Sequence, residues 1–401
     1  MQPDALRGAF LRHICQTSAT PLGLVIARAH GSSLWDTEGR EYLDLLSGMG
    51  VAALGHGHPE VIAAIQAQAE RYLHVMVYGE LIQEPQVALA QRLAELAPGA
   101  LSAVYFTSSG AEAIEGAIKL ARKATGRTRL VAFGGGYHGD TVGALSLCDS
   151  ARYRAPFEPL LADVEFLRFD RTDDLRRIDE RVAAVFVEPI QGEAGVRVPR
   201  DAFLPALRAQ CDAVGALLVC DEVMTGWART GAWFACQHWG VEPDVLVLAK
   251  AVGGGLPLGA FIGRPTLMQT LSYDPPLAHV TTFGGHPLSC AAGLAALAVA
   301  ERERLPERAA RVGDAWRTRL AESIGPVLRE VRGRGLLIGL EFATPEQTQA
   351  FCRAALARGV ILNWTLHRDT VVRLAPPLVI SAAHSERALT AIEASLAAAG
   401  G

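Results

Sequence analysis

Between residues 100 and 250, short runs of β-branched and apolar residues alternate with stretches whose apolar side chains recur every three or four positions. Strands are expected at 101–106, 130–133, 165–169, 183–187, 216–220 and 245–248, with helices at 111–125 and 202–214. Such alternation folds as a mostly parallel sheet with helices on its faces, because each parallel crossover needs a helix to return the chain. The runs 183–187 and 245–248 contain no polar residue, which suits strands buried on both faces. Ahead of this region, helical spacing recurs over 60–73 and 84–97, and 33–44 reads as a hairpin turning at Thr37-Glu-Gly39. Residues 1–30 read as an irregular arm with a short helix. Beyond about 300 the pattern changes to a helix at 307–323, strands at 328–333, 336–342 and 370–374, and helices at 345–358 and 382–398. The fold class expected is therefore α/β, with a smaller α+β domain. The boundaries expected are an arm and hairpin over 1–45 packing with the small domain, a large domain over 46–300, and the small domain over 301–401.

Several function classes are disfavoured at this level. The net charge is −4 and no basic tail interrupts the mixture of acids and arginines, which gives no electrostatic case for nucleic acid. No apolar run approaches the roughly 18 residues of a membrane span, and residues 1–16 lack the apolar core of a secretory signal. The seven cysteines are scattered, without metal spacing, as expected of reduced thiols in the cytoplasm. His56 and His58 precede Pro59 and read as a turn before a helix rather than as half of a metal site.

Lysine usage singles out one residue. Of 38 basic residues only Lys119, Lys123 and Lys250 are lysines. The first two lie four apart on the expected helix 111–125. Lys250 follows the apolar strand 245–248 and precedes Gly253-Gly-Gly255. Open α/β sheets bind ligands at the carboxyl ends of their strands. Burial there disfavours the charged form of a lysine, and a neutral amine can form a Schiff base with a carbonyl.

Other strand ends carry matching chemistry. After the first strand, Ser109 and Glu112 form an S-x-x-E capping box, and the helix they open offers the amides of Gly110 and Ala111 to an anion. Neither a Walker lysine nor a G-x-G-x-x-G pattern is present, so a nucleoside phosphate is not favoured. Gly134-Gly-Gly-Tyr-His-Gly139 places Tyr137 and His138 in a loop able to lay a ring against a ligand. Glu188 and Glu193 bracket a turn after the strand 183–187. Asp221 ends the strand 216–220 and, if buried, needs a cationic partner. Arg373, at the end of an apolar strand, suits a substrate carboxylate. One ligand uses an amine, an acid, an aromatic plate, a phosphate cradle and an arginine together: pyridoxal 5′-phosphate. Its phosphate would sit at Ser109, Gly110 and Ala111, its ring between Tyr137 and Val223, its ring nitrogen against Asp221 and its aldehyde on Lys250.

These residues, in this order, resemble the class III aminotransferases, which include the ornithine, acetylornithine and 4-aminobutyrate enzymes. The resemblance runs from about Gly31 to Pro377. It rests on Phe106-Thr-Ser-Ser-Gly-Ala-Glu-Ala113, Tyr137-His-Gly139, Glu188-Pro-Ile-Gln-Gly-Glu193, Asp221-Glu-Val223, Leu248-Ala-Lys250, Thr281-Thr-Phe-Gly-Gly285 and Arg373-Leu-Ala-Pro-Pro377. It implies the aspartate-aminotransferase-like fold with a seven-stranded-type sheet, and a homodimer with shared active sites. It also implies transfer of an amino group from an amine or ω-amino acid to a keto acid such as 2-oxoglutarate. Thr282 would reach the phosphate of the partner subunit's cofactor, and Glu193 would pair with Arg373 until an α-carboxylate displaces it. An aminomutase or racemase on the same scaffold is the alternative reaction. The chain departs from the family at Ser108, where asparagine is common, at Met224 for glutamine, and at His286 for asparagine. Met49 replaces a tyrosine of the ornithine enzymes. Met49, Tyr78, Glu80 and Trp227 are the expected substrate-pocket residues.

Overall fold

The computed structural model describes residues 2–399 of the 401-residue chain. Its centre is a seven-stranded sheet in the spatial order Ala103–Thr107, Gly259–Gly263, Val245–Leu248, Leu217–Asp221, Val182–Val187, Arg129–Phe133 and Val164–Leu167. The last five strands in that order are mutually parallel. Gly259–Gly263 runs antiparallel to both its neighbours, with Gly259 opposite Thr107 and Ala260 opposite Leu248. The expected parallel strands are all present within a residue or two, whereas this antiparallel one is an addition. Two glycines in five residues hide it from β-propensity, and its docking between two partners is what makes it a strand.

Every residue of Val182–Val187 and Val245–Leu248 is buried, as two-sided packing against helices requires. The helix Gly110–Thr125 covers one face, burying Ala113, Ile114, Ala117, Ile118 and Ala121 along one stripe. Leu89, Phe203, Leu207 and the alanine-rich helix Pro287–Arg302 contribute to the core on the other.

A second apolar core joins the two ends of the chain. Leu43 and Leu45 pack with Trp316, Phe342, Phe351 and Ile392. Val360–Ile361 pairs parallel to the strand Glu41–Asp44, so the N-terminal hairpin shares a sheet with the C-terminal region. Ile26–His30, expected within an irregular arm, forms a third antiparallel strand on this hairpin. Asp44 Oδ2 accepts from His56 Nε2 at 2.9 Å, and no group of potential metal ligands is found among the described residues. None of their helices is long and apolar enough to cross a membrane.

Candidate active site

The parallel strands deliver their carboxyl ends to one cavity of about 640 Å³. Lys250 lies two residues past Val245–Leu248, Asp221 ends Leu217–Asp221, and Glu188 follows Val182–Val187 directly. Ser109, Gly110, Ala111, Tyr137, His138, Glu193, Val223 and Arg373 line the same space. Residues more than 250 positions apart in sequence thus converge by topology alone.

One end of the cavity is built for an anion. Ser109 caps the helix Gly110–Thr125, its hydroxyl accepting from Glu112 N at 3.2 Å. The Glu112 carboxylate closes the box one residue early, accepting from Ser108 N at 2.7 Å rather than from Ser109 N. The first-turn amides of Gly110 and Ala111 have no carbonyl behind them in the helix and border the cavity. Close packing favours glycine at this end, and at Gly259 requires it. A Cβ on Gly110 would press on Val223 at 3.1 Å, and one on Gly259 would stand 2.3 Å from the Ser109 carbonyl.

At the other end is the lysine. Its backbone occupies the left-handed region, with φ of 54°, a conformation that L-residues adopt at a cost of about 1 kcal/mol or more. Met49, Val196 and Trp227 near the cavity share that region, so strain concentrates here. Lys250 Nζ contacts the Met224 sulfur at 3.3 Å, and no carboxylate forms an ion pair with it among the described residues. Burial and then the charge of Arg373 lower its pKa to about 8, against the opposing pull of Glu193, Asp221 and Glu188.

Asp221 is buried, and its Oδ2 lies 2.7 Å from His138 Nδ1 while Oδ1 accepts from Val223 N at 3.0 Å. Burial alone would lower the His138 pKa, but the hydrogen bond and charge of Asp221 outweigh it and the net direction is up. Glu188 accepts from Tyr137 N at 3.0 Å and from Gly192 N at 2.9 Å, tying the tyrosine loop to the Glu188 turn. Burial still pushes its carboxyl up to about 7. Glu222, within the same Asp221-Glu-Val223 motif, faces away from this chemistry. It accepts from the Thr225 hydroxyl and from Ala235 N and Cys236 N, and so anchors a neighbouring turn.

Arg373 and Glu193 form a buried ion pair. Burial would raise the Glu193 pKa, yet the arginine beside it holds the carboxyl below its usual value. Glu193 Oε2 also accepts from Leu366 N at 2.8 Å, so the loop after Asn363–Trp364 fixes the carboxylate.

The four expected substrate-pocket residues do not line this cavity on the described chain. Trp227 is buried beside a separate small cavity behind Met224, because the turn after Asp221 carries it below the sheet edge. Met49 is 42% exposed at the rim, its sulfur 4.0 Å from an Arg373 nitrogen, and it does not line the main cavity. Tyr78 and Glu80 are exposed and outside it as well. Thr282 is exposed on this chain, away from the cavity. Conversely, Val51, Asp140, Thr141 and Leu258 line it without having been singled out. For Asp140 the signal was its place directly after Tyr137-His-Gly139.

The donor set fits pyridoxal 5′-phosphate: anion-ready amides at one end, a neutralisable amine at the other, and a buried carboxylate lining the same cavity as an aromatic and a valine. Comparison with known proteins agrees. The model of the family described as Aminotransferase class-III matches residues 14–396. An acetylornithine aminotransferase of Methanopyrus kandleri is 44% identical over 97% of each chain. A putrescine aminotransferase of Pectobacterium atrosepticum is 41% identical over 93% of this chain and 82% of its own. Among solved structures, an ornithine aminotransferase of Toxoplasma gondii, with partial occupancy of PLP at its active site, superposes with a TM-score of 0.93. It covers 100% of this chain and 95% of its own at 33% identity. The chain belongs to the class III aminotransferases, and is a pyridoxal-phosphate-dependent enzyme that transfers an amino group to a keto acid.

Proposed function

We propose that the amino donor is a primary amine at the end of a carbon chain, that the acceptor is a 2-oxo acid such as 2-oxoglutarate, and that Lys250 carries the chemistry. The observation that supports this most is Lys250 itself: a partly buried lysine, facing a thioether rather than a carboxylate, at the carboxyl end of the central sheet. When bound, the cofactor supplies a carbonyl for amines and a ring that draws off the electron pair left by a broken C–H bond. Lys250 Nζ would hold that carbonyl at rest and, when freed by a donor amine, would serve as the base that takes the proton from the substrate carbon. Asp221 keeps a proton on the ring nitrogen, and its bonds to His138 and Val223 N hold it in place. Tyr137 and Val223 would hold the ring faces, and Ser109, Gly110 and Ala111 would receive the phosphate.

Attachment of pyridoxal phosphate to cofactor-free protein should follow the lysine. Only the unprotonated amine attacks, so below a pKa of about 8 the rate rises about tenfold per pH unit, then levels. Stopped-flow absorbance against pH reads this directly, and a break near the ordinary lysine value instead would remove the buried-amine argument.

Arg373 is the proposed carboxylate clamp, released from Glu193 when an α-carboxylate arrives. Arg373→Ala should raise KM for 2-oxoglutarate by about 100-fold, and that for a simple monoamine far less, because only the former loses a bidentate contact. Equal changes for both would make the arginine structural.

A homodimer accounts for exposed apolar surface. Leu73, Met76, Leu81 and Ile82 are exposed on one segment, and Tyr273, Leu277, Val280 and Phe283 on another. The two meet where His74 packs on Phe283 at 5.2 Å between ring centroids. Lys119 and Lys123 donate to the carbonyls of Ala278 and Tyr273, holding the second segment, which leads to Thr282. Thr282 would then meet the partner subunit's cofactor phosphate. A cytoplasmic location is consistent with seven free cysteines, six of them buried.

The reaction is tested by incubating the holoenzyme with ω-amines, with and without a 2-oxo acid. Product formation that depends on the oxo acid is expected. Multiple turnovers of the amine without any acceptor, beyond the one equivalent per site that the first half of transamination consumes, would favour an aminomutase or racemase and contradict the proposal. Both curated relatives described above are named as aminotransferases, which weighs against that alternative.

A further inference from the structure

Four carboxylates line the cavity: Asp140, Glu188, Glu193 and Asp221. Three of them have both oxygens engaged. Glu188 accepts from two backbone amides, Glu193 from Arg373 and Leu366 N, and Asp221 from Val223 N with His138 on its other oxygen. Asp140 differs. Its Oδ2 accepts the Tyr137 hydroxyl at 2.9 Å, which fixes the side chain, while Oδ1 has no hydrogen-bond partner and no basic side chain pairs with it among the described residues. The side chain is exposed within the open cavity.

The charges of the site leave Asp140 over. Two basic side chains besides His138 line the cavity, Lys250 and Arg373. Arg373 is neutralised by Glu193. Lys250 is the reacting amine and offers no lasting counter-ion. A bound phosphate is met by helix amides, and a ring nitrogen by Asp221. Among the described residues no basic side chain forms an ion pair with Asp140, so a group entering beside Tyr137 meets an unpaired carboxylate. Substrate that covers it removes water and strengthens the interaction.

We infer that Asp140 determines donor specificity by receiving a second, non-reacting ammonium, so that the preferred donors are α,ω-diamines or polyamines. This rests on the aminotransferase reading above and narrows it. A terminal carboxylate on the donor is repelled at the same place, and an uncharged terminus leaves Asp140 desolvated without a partner. The chain would therefore differ in donor from a relative named for acetylornithine, whose second end carries a carboxylate and no ammonium.

The test compares kcat/KM of the holoenzyme for putrescine, butylamine and 4-aminobutyrate with one 2-oxo acid, in the wild type and in Asp140→Asn and Asp140→Lys. Putrescine should exceed butylamine by about tenfold to 100-fold in the wild type. The isosteric Asn variant should bring that ratio close to one, and Lys should turn the preference towards 4-aminobutyrate. A wild type indifferent to the second charge would overturn the inference, as would an Asn variant that lowers all three donors in proportion, since that marks a support for Tyr137 only. Those outcomes leave transamination intact, whereas the absence of oxo-acid-dependent turnover with every amine would overturn the aminotransferase reading itself.

Discussion

Lys250→Ala is expected to lower transamination by about four orders of magnitude, the largest effect of any single substitution in this chain. Two functions are lost together: the covalent hold on the cofactor carbonyl, and the base that moves the substrate proton. No other lysine can substitute. Lys119 and Lys123 lie on the helix Gly110–Thr125, outside the cavity, and are committed to carbonyls of the segment 273–278. Arginine, though abundant, stays protonated and cannot serve as the amine. The cavity walls should survive the change, because the phosphate cradle and Asp221 are held by contacts that do not involve Lys250. The variant should therefore bind pyridoxal phosphate without covalent attachment, which borohydride reduction followed by mass spectrometry would check. Turnover within tenfold of wild type would remove Lys250 from the mechanism.

Asp221→Asn is expected to give the second largest loss, about 10²- to 5 × 10³-fold in kcat/KM. Removing one member of a buried charge pair costs about 3–5 kcal/mol, and each 1.36 kcal/mol is a factor of ten in rate. The amide is isosteric and can keep a bond from Val223 N, so the shape of the site should persist. What disappears is the negative charge that holds a proton on the ring nitrogen. The same charge also holds the His138 pKa up against burial, so the histidine should titrate lower in the variant. NMR of the imidazole and steady-state kinetics together separate electrostatic from structural loss. A variant with normal kinetics and a lowered histidine pKa would confine Asp221 to supporting His138.

Much of this site was legible because the sheet forces it. Val245–Leu248 announces a doubly buried strand, and the lysine just beyond its end can only stand at the ligand edge. Asp221 is legible on the same logic, as a carboxylate closing the apolar strand Leu217–Asp221. The proximity of Glu193 and Arg373 was reached through resemblance, since no local pattern links residues 180 positions apart. Gly259–Gly263 escaped notice because its glycines serve close packing rather than strand propensity, as the approach of Gly259 to Ser109 explains. The place of Trp227 beside a separate small cavity is decided by a turn with two residues at positive φ, which a linear pattern does not disclose. Asp140 looked like an ordinary loop charge. Its significance lies in an absence of partners, which only the folded arrangement of four carboxylates makes visible.

The most direct test of the central claim, that the Lys250 cavity holds pyridoxal phosphate for amino transfer, is the visible spectrum of the purified holoenzyme during addition of one amine with no acceptor present. The expected result is a visible band that the donor converts stoichiometrically to the pyridoxamine form, is restored by a 2-oxo acid, and is missing in its lysine-linked form from Lys250→Ala. A protein that develops no band after incubation with pyridoxal phosphate, or one whose band is unchanged in Lys250→Ala, would contradict it.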